Sequence, residues 1–355
     1  DGGLDNNLAT TADNATTSRT FDVTVNPVND DPTLDQPDNL TVDEDAPEQT
    51  VNLTGITAGG GETQQLRVTA TSSNTDLIAG VVAESISEEG LVAYYPLNGN
   101  ASDASGNSND GTIHGATTTV DRFGRANNAY AFSDSYIAFD IPELPQSDIS
   151  RTLTVWTRAD VSNETTDVIA QWGDDEPNEG FGLFIHDDEF QGSSFGPDND
   201  IKSGIRVDDQ WHHLVLTLTG DVLAIYVDGE FRGSKTVVAA TTGTTLMLGK
   251  EVNNIDPDEK SYTGAIDDVR VYNRALSASE VGKLYRSESG QSKLIFTPQA
   301  DQHGTSTITV TVEDGGLDNN LATTADNATT SRTFDVTVTP VNDAPTLDQP
   351  DDLTV

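Results

Sequence analysis

The residues of this sequence best suited to chemistry are oxygen donors. Asp103, Asn107 and Asp110 crowd a short turn around Gly106. Such a turn can gather carboxylate, amide and main-chain oxygens about one point, and Ca2+ takes about six to eight ligands of that kind. Asp267 or Asp268, far along the chain, is expected to complete the set. The competing reading is a network of Asx turns without an ion. A second acidic feature is the short stretch Pro27-Val28-Asn29-Asp30-Asp31-Pro32. If it links two domains, their acidic residues converge there and call for a divalent cation.

A third group could hold a sugar. Polar loops run through Gly173 to Gly180, Asp187 to Asp200 and Glu251 to Tyr262. Asp174, Asp175 and Asn178 in the first, with Asn253, Asn254 and Asp256 in the last, can accept from or donate to sugar hydroxyls. Trp172, Phe195 or Tyr262 could stack on the apolar face of a ring, and Tyr262 is assigned that role. Against this stands plain solvation, the commoner fate of polar loops.

Other chemistries lack their residues. The chain has no Cys, which excludes disulfides, thiolate metal sites and thiol catalysis. His212 and His213 are adjacent on an expected strand and so face opposite ways. His114, His186 and His303 are scattered. No nucleophile elbow, phosphate loop or zinc motif is present. With 59 acidic against 18 basic residues and a net charge of −41, the chain repels nucleic acid and anionic membrane. No apolar stretch reaches the roughly 18 residues of a membrane span, and no signal peptide is visible.

The elements that must position these groups are short strands. Residues 1–42 recur as 314–355, differing only at Asn26/Thr339, Asp31/Ala344 and Asn39/Asp352, so 39 of 42 positions match. That is the mark of a tandem repeat, which makes the first residues mid-repeat and the chain a segment of a longer protein. One repeat, the host, is expected from about Asp31 to Asp343, split by a guest. The segments are 1–30 (closing strands of a preceding repeat), 31–90 (first half of the host), 91–287 (guest), 288–343 (second half) and 344–355 (start of the next repeat). Host strands alternate in period two at Thr50–Leu53, Leu66–Thr71, Leu294–Phe296, Thr307–Val312 and Thr333–Val338. Either copy of the closing strand could pair with the host, so strand exchange is an open expectation.

The guest reads as ten or more strands, a number that suits a two-sheet jelly roll. Gly220-Asp221 and Asp228-Gly229 are tight hairpin turns. Ser277-Ala278-Ser279-Glu280 is a capping box opening a short helix. Trp156, Trp172 and Trp211 lie on strands, where packing is their expected role.

Two resemblances follow from motifs. Val312-Glu313-Asp314-Gly315-Gly316, Thr333-Phe334-Asp335-Val336-Thr337-Val338 and Val341-Asn342-Asp343-Ala344-Pro345 resemble the closing signature of cadherin-like repeats of giant bacterial RTX-type adhesins. That family holds calcium at each junction between repeats. The resemblance implies ligands at Asp314, Asn342 and Asp343, more loosely at Asp301, an acidic cluster at Asp43-Glu44-Asp45, and an upstream junction at Asn29 and Asp30. Tyr94-Tyr95-Pro96-Leu97-Asn98-Gly99, Asp103-Ala104-Ser105-Gly106-Asn107, Trp211-His212-His213-Leu214-Val215, Leu223-Ala224-Ile225-Tyr226-Val227-Asp228-Gly229 and Gly264-Ala265-Ile266-Asp267-Asp268-Val269-Arg270-Val271-Tyr272 resemble the laminin-G-like, concanavalin A-like family. Its members mostly bind ligands, often carbohydrate and often with calcium. The closely spaced Glu/Asp strand motif of laminarinase-type enzymes, which share this fold, is absent.

The expected fold is therefore all-β: an immunoglobulin/cadherin-like β-sandwich split by an inserted concanavalin A-like jelly roll. The expected function is a calcium-dependent, carbohydrate-binding module of an extracellular bacterial adhesin, acting in cell adhesion or biofilm formation and not an enzyme. Its partners would be surface glycans and adjacent repeats, with no nucleic acid and no membrane insertion. A calcium-stiffened extender without ligand is the alternative, and a glycanase the third reading.

Overall fold

The computed structural model describes residues 28–343 apart from 63, 85, 161–166, 175, 197, 253–261, 318–320, 322 and 323, together with positions 4, 6, 7, 9, 15–24 and 26. Four strands open the host: β1 (Leu40–Asp43), β2 (Gln49–Leu53), β3 (Leu66–Ser72) and β4 (Ile78–Ala83). The guest follows with β5 (Leu91–Tyr95), β6 (Gly111–His114), β7 (Thr117–Thr119), β8 (Ala129–Phe132), β9 (Tyr136–Asp140), β10 (Arg151–Ala159), β11 (Asp167–Gly173) and β12 (Gly180–His186). It continues with β13 (Glu189–Ser193), β14 (Asp200–Arg206), β15 (His212–Thr219), β16 (Val222–Val227), β17 (Glu230–Thr236), β18 (Thr245–Leu248) and β19 (Gly264–Tyr272). Helix α1 (Ala278–Glu288) then leads back to the host strands β20 (Ser292–Pro298), β21 (Gly304–Asp314) and β22 (Thr329–Thr339).

The host strands on either side of the guest pair with one another. One sheet has the order β1-β22-β21-β3 and the other β2-β20-β4. β1 runs parallel to β22, with Leu40 opposite Val336. Period-two alternation sends Ile308, Val310, Val312, Phe334, Val336 and Val338 inward, against Leu294 and Phe296 of the facing sheet. Neither half could bury this surface alone.

The guest is a two-sheet sandwich. One sheet runs β17-β16-β15-β10-β19-β8-β7, with β5 also paired to β19, and the other β14-β13-β12-β11-β18-β9-β6. Trp172, Phe181, Phe190, Leu216 and Ile225 are among the side chains fully buried between them. The turn between β16 and β17 places Asp228 at φ 55° and Gly229 at φ 77°, the paired left-handed conformation that suits a two-residue hairpin between twisted strands. α1 starts as the capping box predicts: Ser277 Oγ accepts from the Glu280 amide, and the Glu280 carboxylate accepts from the Ser277 amide. Val281 and Leu284 then pack on Tyr226 and Tyr272, covering the outer face of the larger sheet. Among the described residues no helix is long and apolar enough to cross a membrane.

Guest and host are stapled together beside the points where the chain crosses. Arg125 Nη1 donates to the main-chain oxygen of Glu62 at 2.9 Å. Arg286 pairs with Glu84 at 2.6 Å. Between the two domains lies a cleft of about 550 Å³ lined by Glu62, Glu84, Tyr94, Arg122 and Arg270 among others.

Candidate functional site

The host has polar clusters at both ends, and β21 and β22 set them apart. At the end where β22 finishes, Asp45, Asp301 and Asp343 each offer a carboxylate oxygen, and these lie within 4.8 Å of one another. They come from three segments: the turn after β1, the turn before β21 and the chain leaving β22. The Asp301 amide donates to Asp45 Oδ1 at 3.3 Å. The Asp343 carboxyl is held above the usual range, first by lost hydration, then by the charges of Asp301, Asp45 and Glu44. All three residues are exposed.

Asp43 and Glu44 stand beside this cluster in another role. Asp43 Oδ1 accepts from Thr339 Oγ1 at 2.6 Å, and Glu44 Oε1 accepts from the Val341 amide at 2.7 Å. They pin the departing chain so that Asp343 meets Asp45 and Asp301. Asn342 uses its side-chain amide on the Asp343 carbonyl.

Asp314 does not join them. It ends β21 at the opposite end of the sheet, where its Oδ1 accepts from the amides of Gly316 and Ala328. Asn29 Nδ2 donates to the same carboxylate at 3.2 Å. Gln64 Nε2 donates to Asn29 Oδ1 and to Glu62 Oε2, and Glu62 Oε2 also accepts from the Asp30 amide. The set implied by the cadherin-like signature is thus divided between two ends, because Asp301 and Asp314 flank the eleven-residue β21. Glu62 and Gln64 were not singled out from the sequence; they follow a glycine turn, and nothing in their spacing marks them.

In the guest turn each expected donor residue already has a hydrogen-bond partner. Asp103 Oδ1 accepts from the amides of Tyr94 and Ser105, and Oδ2 accepts from the Asn109 amide. Asp110 Oδ1 accepts from the Asp103 amide, while Asn107 turns its side-chain N–H groups toward the carbonyls of Leu91 and Val92. These side chains are occupied as an Asx network. Asp267 and Asp268 are instead engaged by a basic side chain. Arg122 bridges both, Nη1 to Asp267 at 2.6 Å and Nη2 to Asp268 at 2.7 Å. Tyr94 donates its hydroxyl to Asp268, and Arg270 pairs with Glu288, which also accepts from Trp156 Nε1. Burial and the neighbouring Asp268 push the Asp267 carboxyl up. Burial also acts on Asp268, but Arg122 and Arg270 outweigh it and hold that carboxyl low.

The polar loops divide as well. Asp174 and Asn178 lie in one cluster with Phe195, Asn199 and Thr242. Asn199 Nδ2 donates to Asn178 Oδ1 at 2.7 Å and to the Phe195 carbonyl at 2.6 Å, and Thr242 Oγ1 donates to Asp174. Phe195 sits at φ 56°, with its ring against Gly180 and Phe184, and is partly buried. The proposed aromatic Tyr262 is corrected: it is fully buried, its hydroxyl bonded to Thr157 and to the Ala265 carbonyl. Trp172 is likewise sealed in the core. Asp175, Asn253, Asn254 and Asp256 lie outside the described residues. The histidines face apart as expected: His212 bonds Asp228 and Asp208, while His213 is buried against Trp156.

Comparison with known proteins places the guest. Residues 131–282 match a family model described as the concanavalin A-like lectin/glucanases superfamily, laminin G type. No curated protein matches the sequence. Among solved structures, the binding domain of Paraclostridial mosquitocidal protein 1 is 18% identical, with 56% of this chain aligned to 52% of that one at a TM-score of 0.47. Domain 4 of an extracellular arabinanase from Geobacillus stearothermophilus, in complex with arabinotriose, is 21% identical over 55% of this chain and 98% of that one, TM-score 0.43. The receptor binding domain of botulinum neurotoxin C/D mosaic serotype is 15% identical over 56% and 51%, TM-score 0.45. The chain therefore spans about half the length of the toxin domains it is similar to. The protein is all-β, and its guest has the concanavalin A-like sandwich fold.

Proposed function

We propose that this chain is a carbohydrate-binding module of a bacterial cell-surface adhesin, with the guest as the binding domain and the host as one link of a stalk. The observation that carries the reading is the match of residues 131–282 to the concanavalin A-like lectin/glucanase model. The loop cluster of Asp174, Asn178 and Phe195, held together by the buried Asn199, supports it, because it sets amide and carboxylate groups beside a partly buried aromatic ring that still reaches solvent. Hydroxyl recognition needs the first and ring stacking the second. Many copies on one cell would turn weak single-site affinity into avidity. Catalysis is not part of the reading.

Calcium is proposed at the host end. The donor set of Asp45, Asp301 and Asp343 fits a hard cation: every donor is an anionic oxygen, and the three already converge. A bound ion would supply charge compensation and hold the departing chain in line with the next repeat. Residues of that repeat are needed to complete the coordination.

A glycan array probed with the purified chain, in calcium and in EDTA, tests the proposal. Binding to defined glycans that falls on Asn178→Ala supports the lectin reading. A blank array in both conditions would leave the chain a stalk element. Turnover of a bound polysaccharide would replace the lectin with a glycanase.

A further inference from the structure

Tension applied between the two ends of the host follows a path that can be traced strand by strand. The entering chain reaches one end, where Asn29 is bonded to Asp314. The departing chain leaves at the other, where the Val341 amide is bonded to Glu44. Those ends are about 33 Å apart along a strand the length of β22. Between them the first and last strands of the host lie side by side. β1 runs parallel to β22, from Leu40 opposite Val336 to Asp43 opposite Thr339.

Pulling the entering chain one way and the departing chain the other slides these two parallel strands past each other. The rungs of a parallel ladder are evenly spaced, so sliding loads all of them at once. Side chains cross the same seam. Gln36 Nε2 donates to the Thr333 carbonyl at 2.7 Å, the Asp335 amide donates to Asn39 Oδ1 at 2.8 Å, and Thr339 Oγ1 donates to Asp43 Oδ1 at 2.6 Å.

The guest hangs elsewhere. The chain leaves the host after β4 and returns at β20, and these are antiparallel neighbours in the other sheet, with Val82 opposite Ile295 and Ala83 opposite Leu294. The crossing points are therefore about one strand spacing apart, roughly 5 Å. The staples from Arg125 to Glu62 and from Arg286 to Glu84 lie around the one cleft beside them. The guest thus bridges no two ends of the host. The main cores are also separate: Trp172, Phe181 and Leu216 belong to a cluster of guest residues alone, and Phe296, Ile308 and Phe334 to one of host residues alone.

We propose that the insertion is a mechanical shield: tension between the host's ends shears β1 from β22 and unravels the host before any load reaches the guest, which stays folded. The shield goes beyond the lectin reading. It does not depend on whether the guest binds a glycan or the host a cation.

The lengths are definite. With the host unravelled and the guest folded, residues 31–90 and 288–342 extend, a gain of about 35–40 nm once the folded length is subtracted. Residues 91–287 would then add about 65–70 nm.

The chain has no Cys, so Asp31→Cys/Asn342→Cys accepts handles for an optical trap at the host's two ends, in EDTA. Two steps are expected, the shorter first. A single step of about 105 nm, or the longer step first, overturns the proposal. Handles at Asp38→Cys/Thr333→Cys, toward one end of the parallel pair, should peel the ladder at severalfold lower force; equal force from both handle pairs refutes the shear. A measurement without force tests the guest's independence. All three tryptophans, Trp156, Trp172 and Trp211, lie in the guest, so their emission follows the guest, while far-UV circular dichroism follows both domains. Phe334→Ala empties part of the host core. It should lower the host transition in urea and leave the tryptophan transition where it was. A tryptophan transition that falls with the host overturns the shield, even if the variant host does not fold.

Discussion

Replacing Arg122 with alanine asks whether Asp267 and Asp268 are ion-pair partners or cation ligands. The guanidinium reaches Asp267 at 2.6 Å and Asp268 at 2.7 Å, and its Nε donates to the Glu288 carbonyl at 2.8 Å. All three side chains are nearly closed to water. Removing one partner of a buried pair costs about 3–5 kcal/mol. An independent bound comes from proton uptake. Keeping a stranded carboxyl protonated at pH 7 costs about 1.4 kcal/mol per unit above an ordinary value near 4, or about 4 kcal/mol. The two routes agree, and for a domain of the guest's size the loss corresponds to a fall in Tm of roughly 10 °C. The pH sign follows. In the variant the stranded carboxyl has a folded-state pKa above its unfolded value. The penalty is therefore absent below the unfolded pKa and grows as pH rises toward the folded one. At pH 5 it shrinks to about 1–2 kcal/mol. Calorimetry at pH 5 and pH 7, each in EDTA and in calcium, measures both effects. A variant as stable as its parent, or one returned to parental stability by calcium, would refute the ion-pair account and restore the two aspartates as ligands.

Three further predictions concern the other acidic clusters and the histidine clamp. Asp45→Asn/Asp301→Asn/Asp343→Asn should raise host stability in EDTA, by relieving repulsion, and lack the rise in Tm that the proposed calcium site predicts for the parent; an unchanged calcium response rejects this cluster as the site. Asp103→Ala should cost about 1–3 kcal/mol, because three amides lose their acceptor, and by the same amount with or without calcium; a loss seen only in calcium would bring the ion back to this turn. Burial disfavours the His212 imidazolium, but Asp228 and Asp208 outweigh that and raise its pKa. Its stabilisation is thus fully present below about pH 6.5, the unfolded value, and is lost as pH rises through the folded value. His212→Gln should flatten that part of the pH profile, and an NMR titration that finds no elevated imidazole pKa contradicts the clamp.

What was legible in the sequence was decided locally or by repetition. Asp228-Gly229 turns the chain because its own two residues adopt positive φ, and Ser277 and Glu280 cap a helix three residues apart. Period-two alternation marked five of the seven host strands, since one face of each is buried, but not the short β1 or β4. The site was harder to read because its decisive partners are remote. Arg122 meets Asp267 across 145 residues, and no spacing signals that a basic residue in one loop will neutralise an acidic pair on a distant strand. Tyr262 misled for a related reason: it follows a polar run, but Thr157 and the Ala265 carbonyl take its hydroxyl and let the ring be buried.

The division of the junction residues follows from the same limit. A signature read along the chain joins Asp314 to Asn342 and Asp343 because they are near in sequence. An eleven-residue strand returning beside another carries them to opposite ends of the sheet. The repeat then explains why both ends are acidic. Asn29-Asp30 at one end and Asn342-Asp343 at the other occupy equivalent positions. The first pair meets Glu62, Gln64 and Asp314; the second meets Asp45 and Asp301. Stacked end to end, two such repeats would bring both sets to one linker. If the proposed calcium site draws donors from both repeats, a tandem pair should respond to calcium at lower concentration than one repeat alone. Equal midpoints for the two would mean that each end acts by itself.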